Sequence, residues 1–89
     1  MAATIAGAAT DHSPWAVGFS PDGRVLAASD ATNPGVRLID PATQKITAEI
    51  PLGGRPEGLV WNADGTRLYV SESGAGTVAE IDAGKGKIA

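Results

Sequence analysis

The chain has few residues that could carry out chemistry, and its single histidine is the first of them. His12 follows Asp11 in the stretch TDHSPW, and the chain has no cysteine. An imidazole is a good metal ligand, so copies of His12 brought together by symmetry could hold an ion. One loop histidine per chain gives little control of ligand geometry, however. We therefore expect His12 to be a solvated loop residue beside a turn residue, Asp11, and we predict neither a metal nor a cofactor.

Three further residues could form a binding site with Asp11 and His12. Trp15 and Glu57 each follow a proline, and Arg55 precedes one. If these five side chains gather at one end of the fold, they could bind a small anion or a sugar. Each also has a purely structural interpretation: Arg55 can pair with an acid, and the tryptophan can pack in a core. We expect no catalytic residues among them.

Four aspartates recur beside turns, which raises the question of a calcium site. Each can instead accept hydrogen bonds from its own turn, which is what aspartate does in such places. No D-x-D-x-D-G calcium loop is present. The serines lack the G-x-S-x-G setting of a nucleophile. We therefore predict turn-capping roles for these residues: Asp22, Asp40, Asp64 and Asp82.

Composition excludes several classes of partner. The net charge is −3, and the seven basic residues form no run, so we expect no nucleic-acid partner. No apolar stretch approaches the length of a membrane helix, and we expect no membrane partner. The chain start has neither a basic region nor a continuous apolar region, so it does not resemble a secretory signal. The compartment stays open.

The sequence repeats itself. A shift of 42 residues places Pro14 on Pro56 without a gap, and the Asp-Gly pairs, at 22–23 and 64–65, then coincide. Matching positions continue to residues 45–46 and 87–88, where Lys-Ile recurs. Twelve glycines and six prolines suit short strands and tight turns. The pattern therefore indicates that the chain contains two copies of one structural unit.

Each unit predicts four short antiparallel strands. In the first unit they lie at about 15–20, 24–30, 36–40 and 45–50, and in the second the first three lie at about 57–62, 66–72 and 77–82. The first two strands are apolar or small on both faces, which indicates that other layers cover them. The third and fourth carry more charge and should lie further out. A repeat of about 40–45 residues with four strands is typical of a β-propeller blade.

The second unit, PEGLVWNADGTRLYVSESGAGTVAEID at 56–82, resembles the YVTN-type β-propeller repeat. The first unit keeps SPDGRVLAASD and VRLIDPATQKI. NHL-type blades have the same length and are an alternative, whereas the Gly-His and Trp-Asp signatures of WD40 blades are absent. The resemblance implies a ring of several blades, and this chain holds two.

These observations predict an all-β chain of two blades that assembles into a closed ring. Residues 1–7 resemble an outer strand and would complete a neighbouring copy's blade, residues 14–51 form the first blade, and 56–89 form the second without all of its outer strand. Two blades leave apolar faces exposed, so we expect a cyclic homo-oligomer, either a trimer of six blades or a tetramer of eight. The predicted function is a structural, self-assembling module without catalysis, and the sequence leaves open whether this module is natural, excised or engineered. The alternatives are a ligand-binding module at the channel mouth and a fragment of an extracytoplasmic propeller enzyme.

Overall fold

Two four-stranded antiparallel sheets follow one another along the chain in a computed structural model that describes residues 14–30, 32–73 and 76–89. The first sheet contains β1 (Pro14–Phe19), β2 (Leu26–Asp30), β3 (Gly35–Asp40) and β4 (Lys45–Pro51). The second contains β5 (Arg55–Trp61), β6 (Arg67–Ser73), β7 (Thr77–Asp82) and β8 (Lys87–Ile88). Strands neighbour one another in chain order in both sheets. The predicted pair of antiparallel sheets is confirmed, and the expected outer strand at 1–7 lies outside the described residues.

The aspartates cap their turns as predicted. The Asp22 carboxylate accepts a hydrogen bond from the Arg24 N–H at 3.0 Å, and that of Asp64 accepts one from the Thr66 N–H at 3.0 Å. The glycine after each of these aspartates has a positive φ, 74° at position 23 and 76° at position 65. Residues with a Cβ rarely adopt this backbone conformation. The other two aspartates accept from backbone N–H groups in the same way, Asp40 from Ala42 and Asp82 from Lys85.

In each sheet, a serine side chain forms hydrogen bonds with the backbone at an equivalent β-bulge. The register between the first two strands shifts before Val17 in one sheet and before Gly58 in the other, as in a β-bulge. The Ser29 hydroxyl accepts from the Ala16 N–H at 2.9 Å and donates to the Ala16 carbonyl at 3.3 Å. Ser71 makes the equivalent bonds with Gly58, at 3.0 and 3.4 Å. The repeated serine therefore satisfies backbone groups that the bulge removes from the ladder.

The main core lies between the two sheets and takes residues from both. The first sheet contributes Ala27, Val36, Leu38 and Ile50, and the second contributes Leu68, Val70 and Ile81. A smaller buried cluster, formed by Leu26, Ala28 and Ile39, lies on the other face of the first sheet. The sheets are thus stacked face to face, and the burial of either depends on the other.

The charged strands lie on the outer side of the first sheet, as expected, since β3 and β4 follow β1 and β2 in the strand order. β3 is nevertheless buried at Val36, Leu38 and Ile39, because the first two belong to the core between the sheets and Ile39 belongs to the smaller cluster. The solvated edge is β4, where exposed and half-buried residues alternate and Ile50 is buried. In the second sheet, β7 is more exposed, as expected. Within the described ranges, no helix is long and apolar enough to cross a membrane.

Candidate functional site

Side chains are described for two of the five candidate binding residues. Arg55 and Glu57 lie at the start of β5, and both are exposed. The Arg55 carbonyl accepts a long hydrogen bond from the Ser73 hydroxyl, at 3.5 Å. Asp11 and His12 lie outside the described residues, and only the backbone of Trp15 is described. The five-residue site therefore stays a prediction.

A buried ion pair that the sequence analysis missed lies at the end of the first sheet where β2 stops and β3 starts. An Arg37 Nη1 donates to Asp30 Oδ2 at 2.9 Å, and only 1% of the Asp30 side chain is exposed. Asp30 Oδ1 also accepts from the N–H groups of Thr32, at 2.8 Å, and Asn33, at 3.3 Å. The Asp30 carboxylate thus holds two groups in place, the backbone of the loop after β2 and the side chain of Arg37. The sequence feature that could have indicated this ion pair is the placement of opposite charges, Asp30 and Arg37, on either side of Pro34-Gly35.

A shallow groove of about 250 Å³ borders this pair. One wall is the beginning of β3 with the turn that precedes it, and the other wall is the end of β4. Arg37 and Glu49 are its charged groups, and Arg37 Nε lies 3.8 Å from Glu49 Oε1. Because the arginine is already engaged with the carboxylates of Asp30 and Glu49, the groove offers no surplus positive charge to an anionic ligand.

A second cleft, of about 510 Å³, opens at the opposite end, between the turns of the two sheets. Three carboxylates line it, those of Asp22, Asp64 and Asp82. Hydrogen bonds hold all three pKa values below the usual range: the main donors are the Ser20 hydroxyl to Asp22, the Thr66 hydroxyl to Asp64 and the Lys85 N–H to Asp82.

Each of these carboxylates is thus committed to its own turn, and Asp82 also accepts from Arg67 Nη1 at 2.7 Å. Among the described residues, no group of three or more histidine, cysteine or acidic side chains is arranged to hold a metal ion. The cleft is therefore a place where three capped turns meet rather than a set of converging ligands.

The most specific geometry in the structure is the contact between the sheets. The Trp61 indole N–H of β5 donates to the Gly18 carbonyl of β1 at 3.0 Å. A Cβ at Gly18 would lie 3.0 Å from Leu59 Cδ1, so the absence of a side chain there lets the two strands approach closely. Trp61 and Leu59 pack against the main core. Trp61 is therefore a core residue, and its polar atom is satisfied by the neighbouring sheet.

The two faces that point away from this contact expose large apolar side chains. We call the face of the first sheet that carries Val17 and Phe19 the first end face; these residues are 62% and 59% exposed. The face of the second sheet that carries Val60 and Val78 is the second end face, and these are 62% and 64% exposed. Side chains alternate along a strand, so residues flanking Gly18 or Trp61 point away from the contact.

Comparisons with known proteins support the fold. No protein-family model matches the chain, and no curated protein sequence matches it. Among solved structures, eleven chains match, and one is a hydrazine synthase from Kuenenia stuttgartiensis, a protein that contains a β-propeller. It is 30% identical and superposes with a TM-score of 0.83 over 98% of this chain. The chain spans about a quarter of that structure's chain, 26% of its length. The two sheets therefore have the form of two successive β-propeller blades.

Proposed function

We propose that the chain is a structural β-propeller module that assembles with copies of itself and has no catalysis of its own. The observation that carries the proposal is an exchange of exposure between equivalent positions. Val17 and Phe19 are exposed, whereas their equivalents Leu59 and Trp61 pack at the sheet contact. Conversely, Val78 is exposed, whereas its equivalent Val36 is buried there. Each end face is thus a repeat of a surface that is covered inside the chain.

Because the two end faces differ, a contact between them is heterologous, and a heterologous contact with a suitable rotation closes a ring. Three copies would make six blades and four would make eight. We also propose that the repeat is of the YVTN type. The supporting residues are Asp64-Gly65, Leu68 to Ser71 and Ile81-Asp82. Repeat units of this kind need about three or more members for stability, which favours assembly over an isolated pair.

Native mass spectrometry of the 89-residue chain, with sedimentation at micromolar concentration, tests the proposal. A closed trimer or tetramer is expected. Phe19→Asp on the first end face should dissociate it, because a carboxylate would be desolvated there. Thr43→Asp is the matched control, since it adds the same charge to an exposed turn and should leave the mass unchanged. A monodisperse, folded monomer would contradict the proposal.

The match to one section of a larger enzyme favours a second candidate: the blade pair is the scaffold part of a longer propeller whose other blades cover the end faces. The hydrazine synthase, of which the chain spans 26%, supports this candidate. Limited proteolysis separates the two. A scaffold section that needs other blades would be cleaved rapidly at low and high concentration alike, whereas a self-assembling module would gain protection as its concentration rises.

A further inference from the structure

The contact inside the chain pairs a very small residue with two large ones. Gly18 on β1 faces Leu59 and Trp61 on β5, and a Cβ added to the glycine would lie within 3.0 Å of the leucine and 4.0 Å of the indole ring. A larger side chain at this position would force Leu59 to shift, beside the indole that donates to the Gly18 carbonyl. Interior packing of this density tolerates added atoms poorly.

The end faces carry side chains of more similar size at the equivalent positions. Val60 occupies the place of Gly18, so the small side is enlarged by an isopropyl group. Val17 replaces Leu59 and Phe19 replaces Trp61, so the large side is reduced by a methylene and by the difference between an indole and a phenyl ring. The added and removed atoms nearly offset each other. Swaps that conserve volume in this way are the ones that packed cores tolerate best.

We propose that the second end face binds the first end face of another copy through a size-matched contact, in which Phe19 and Val17 of one copy pack on Val60 of the next. This inference rests on the proposed self-assembly and names the residues that select the partner. The matching excludes mixed pairs: a tryptophan at the Phe19 position would overlap Val60, and a phenylalanine against Gly18 would leave a void. The size of these side chains, rather than their hydrophobicity alone, then makes the sheets alternate around the assembly.

The test transplants the internal contact to the end faces. Phe19→Trp should raise the concentration for half-assembly about tenfold or more, because the indole overlaps Val60. Val60→Gly should raise it also, because it leaves a void. The double variant restores the Gly-Trp pair, including a carbonyl for the new indole N–H, and should assemble within about threefold of the unmodified chain. Sedimentation velocity over a dilution series measures each value, and circular dichroism verifies folding.

Two controls keep the result interpretable. Thr43→Trp places a tryptophan on an exposed turn and should not change assembly. Because Val60→Gly also weakens strand propensity, Phe19→Trp with Val60→Ala provides a second rescue pair, which should recover part of the loss. An unmodified chain that assembles, with a double variant no better than Phe19→Trp alone, would overturn the size-matched contact but not the assembly. An unmodified chain that stays a folded monomer would overturn both.

Discussion

Gln44 and Gly86 hold the same left-handed backbone conformation, with φ of 60° and 66°, at the same turn of the two sheets. Their N–H groups donate to equivalent carbonyls, of Asp40 at 2.7 Å and Asp82 at 2.8 Å. Glycine adopts this conformation without a steric penalty, whereas a residue with a Cβ loses roughly 1 kcal/mol or more. The first sheet therefore contains a strained turn that the second sheet avoids.

We expect Gln44→Gly to raise the free energy of unfolding by about 0.5–1 kcal/mol, less than the strain itself, because glycine also gains entropy in the unfolded chain. The reverse change, Gly86→Gln, should lower it by more, since its Cβ would also lie 2.9 Å from the Ala48 Cβ of the other sheet. Urea unfolding followed by circular dichroism measures both. A loss of stability in Gln44→Gly would show that the glutamine side chain makes a compensating contact.

The two bulge serines should differ in their value to stability. Ser29 is buried and Ser71 is exposed, although they bond equivalent backbone groups, those of Ala16 and Gly58. Ser29→Ala leaves the half-buried Ala16 N–H without its acceptor and should lower the free energy of unfolding by about 1–3 kcal/mol. Water can replace the hydroxyl in Ser71→Ala, so its loss should be under about 1 kcal/mol. Equal losses in urea unfolding would mean that the bulge, and not burial, sets the cost.

The two arginine pairs should also rank by burial. Arg37 and Asp30 are 12% and 1% exposed, whereas Arg67 is 36% exposed in its pair with Asp82. Arg37→Met removes a partner of a buried charge and should cost about 3 kcal/mol or more. Arg67→Met should cost less than about 1 kcal/mol.

Adding Asp30→Asn to Arg37→Met separates charge from packing. The amide oxygen can still accept from Thr32 and Asn33, but the buried charge is gone. We expect the double variant to be more stable than Arg37→Met alone, as measured by thermal unfolding. If it is no more stable, the cost of losing Arg37 comes from the packing of its side chain.

Acid should destabilise the folded chain through the three cleft carboxylates. The pKa values of Asp22, Asp64 and Asp82 are lower in the folded chain than ordinarily, so the unfolded chain binds protons first as the pH falls. Their contribution is present above the ordinary aspartate pKa, near about 4, and is lost below it as the pH falls through the folded values. Replacing all three with asparagine should flatten the dependence of the urea midpoint on pH between about 5 and 2.5. A slope that survives the triple substitution would refute this assignment.

The repeat made most of the fold predictable, because a shift of 42 residues aligned turns as well as apolar positions. The Asp-Gly pairs located the first hairpin in each sheet, and the aspartate caps followed from local chemistry that needs no distant partner. The long-range features were not predictable. Nothing in the neighbourhood of Gly18 indicates that Trp61 will approach it, since the requirement arises only when the two sheets stack.

The site was less predictable than the fold for a related reason. Candidate binding residues were chosen because their side chains are charged or polar, and this criterion favours exposed residues such as Arg55 and Glu57. The residues that carry the most specific geometry, Gly18 and Trp61, are not ones that catalysis or metal binding would select. Their role is visible only when equivalent positions are compared for burial, and burial comes from tertiary contacts that a single sequence does not display.

The shared core also affects synthesis on the ribosome. Ala27, Val36, Leu38 and Ile50 leave the ribosome before Leu68, Val70 and Ile81, the residues that cover them. At typical elongation rates, the interval between Ile50 and Ile81 is about two to six seconds. During that interval the completed first sheet presents an uncovered apolar surface in the crowded surroundings of the nascent chain. A chaperone that binds emerging apolar segments would therefore find its target in the first sheet and lose it when Ile81 emerges.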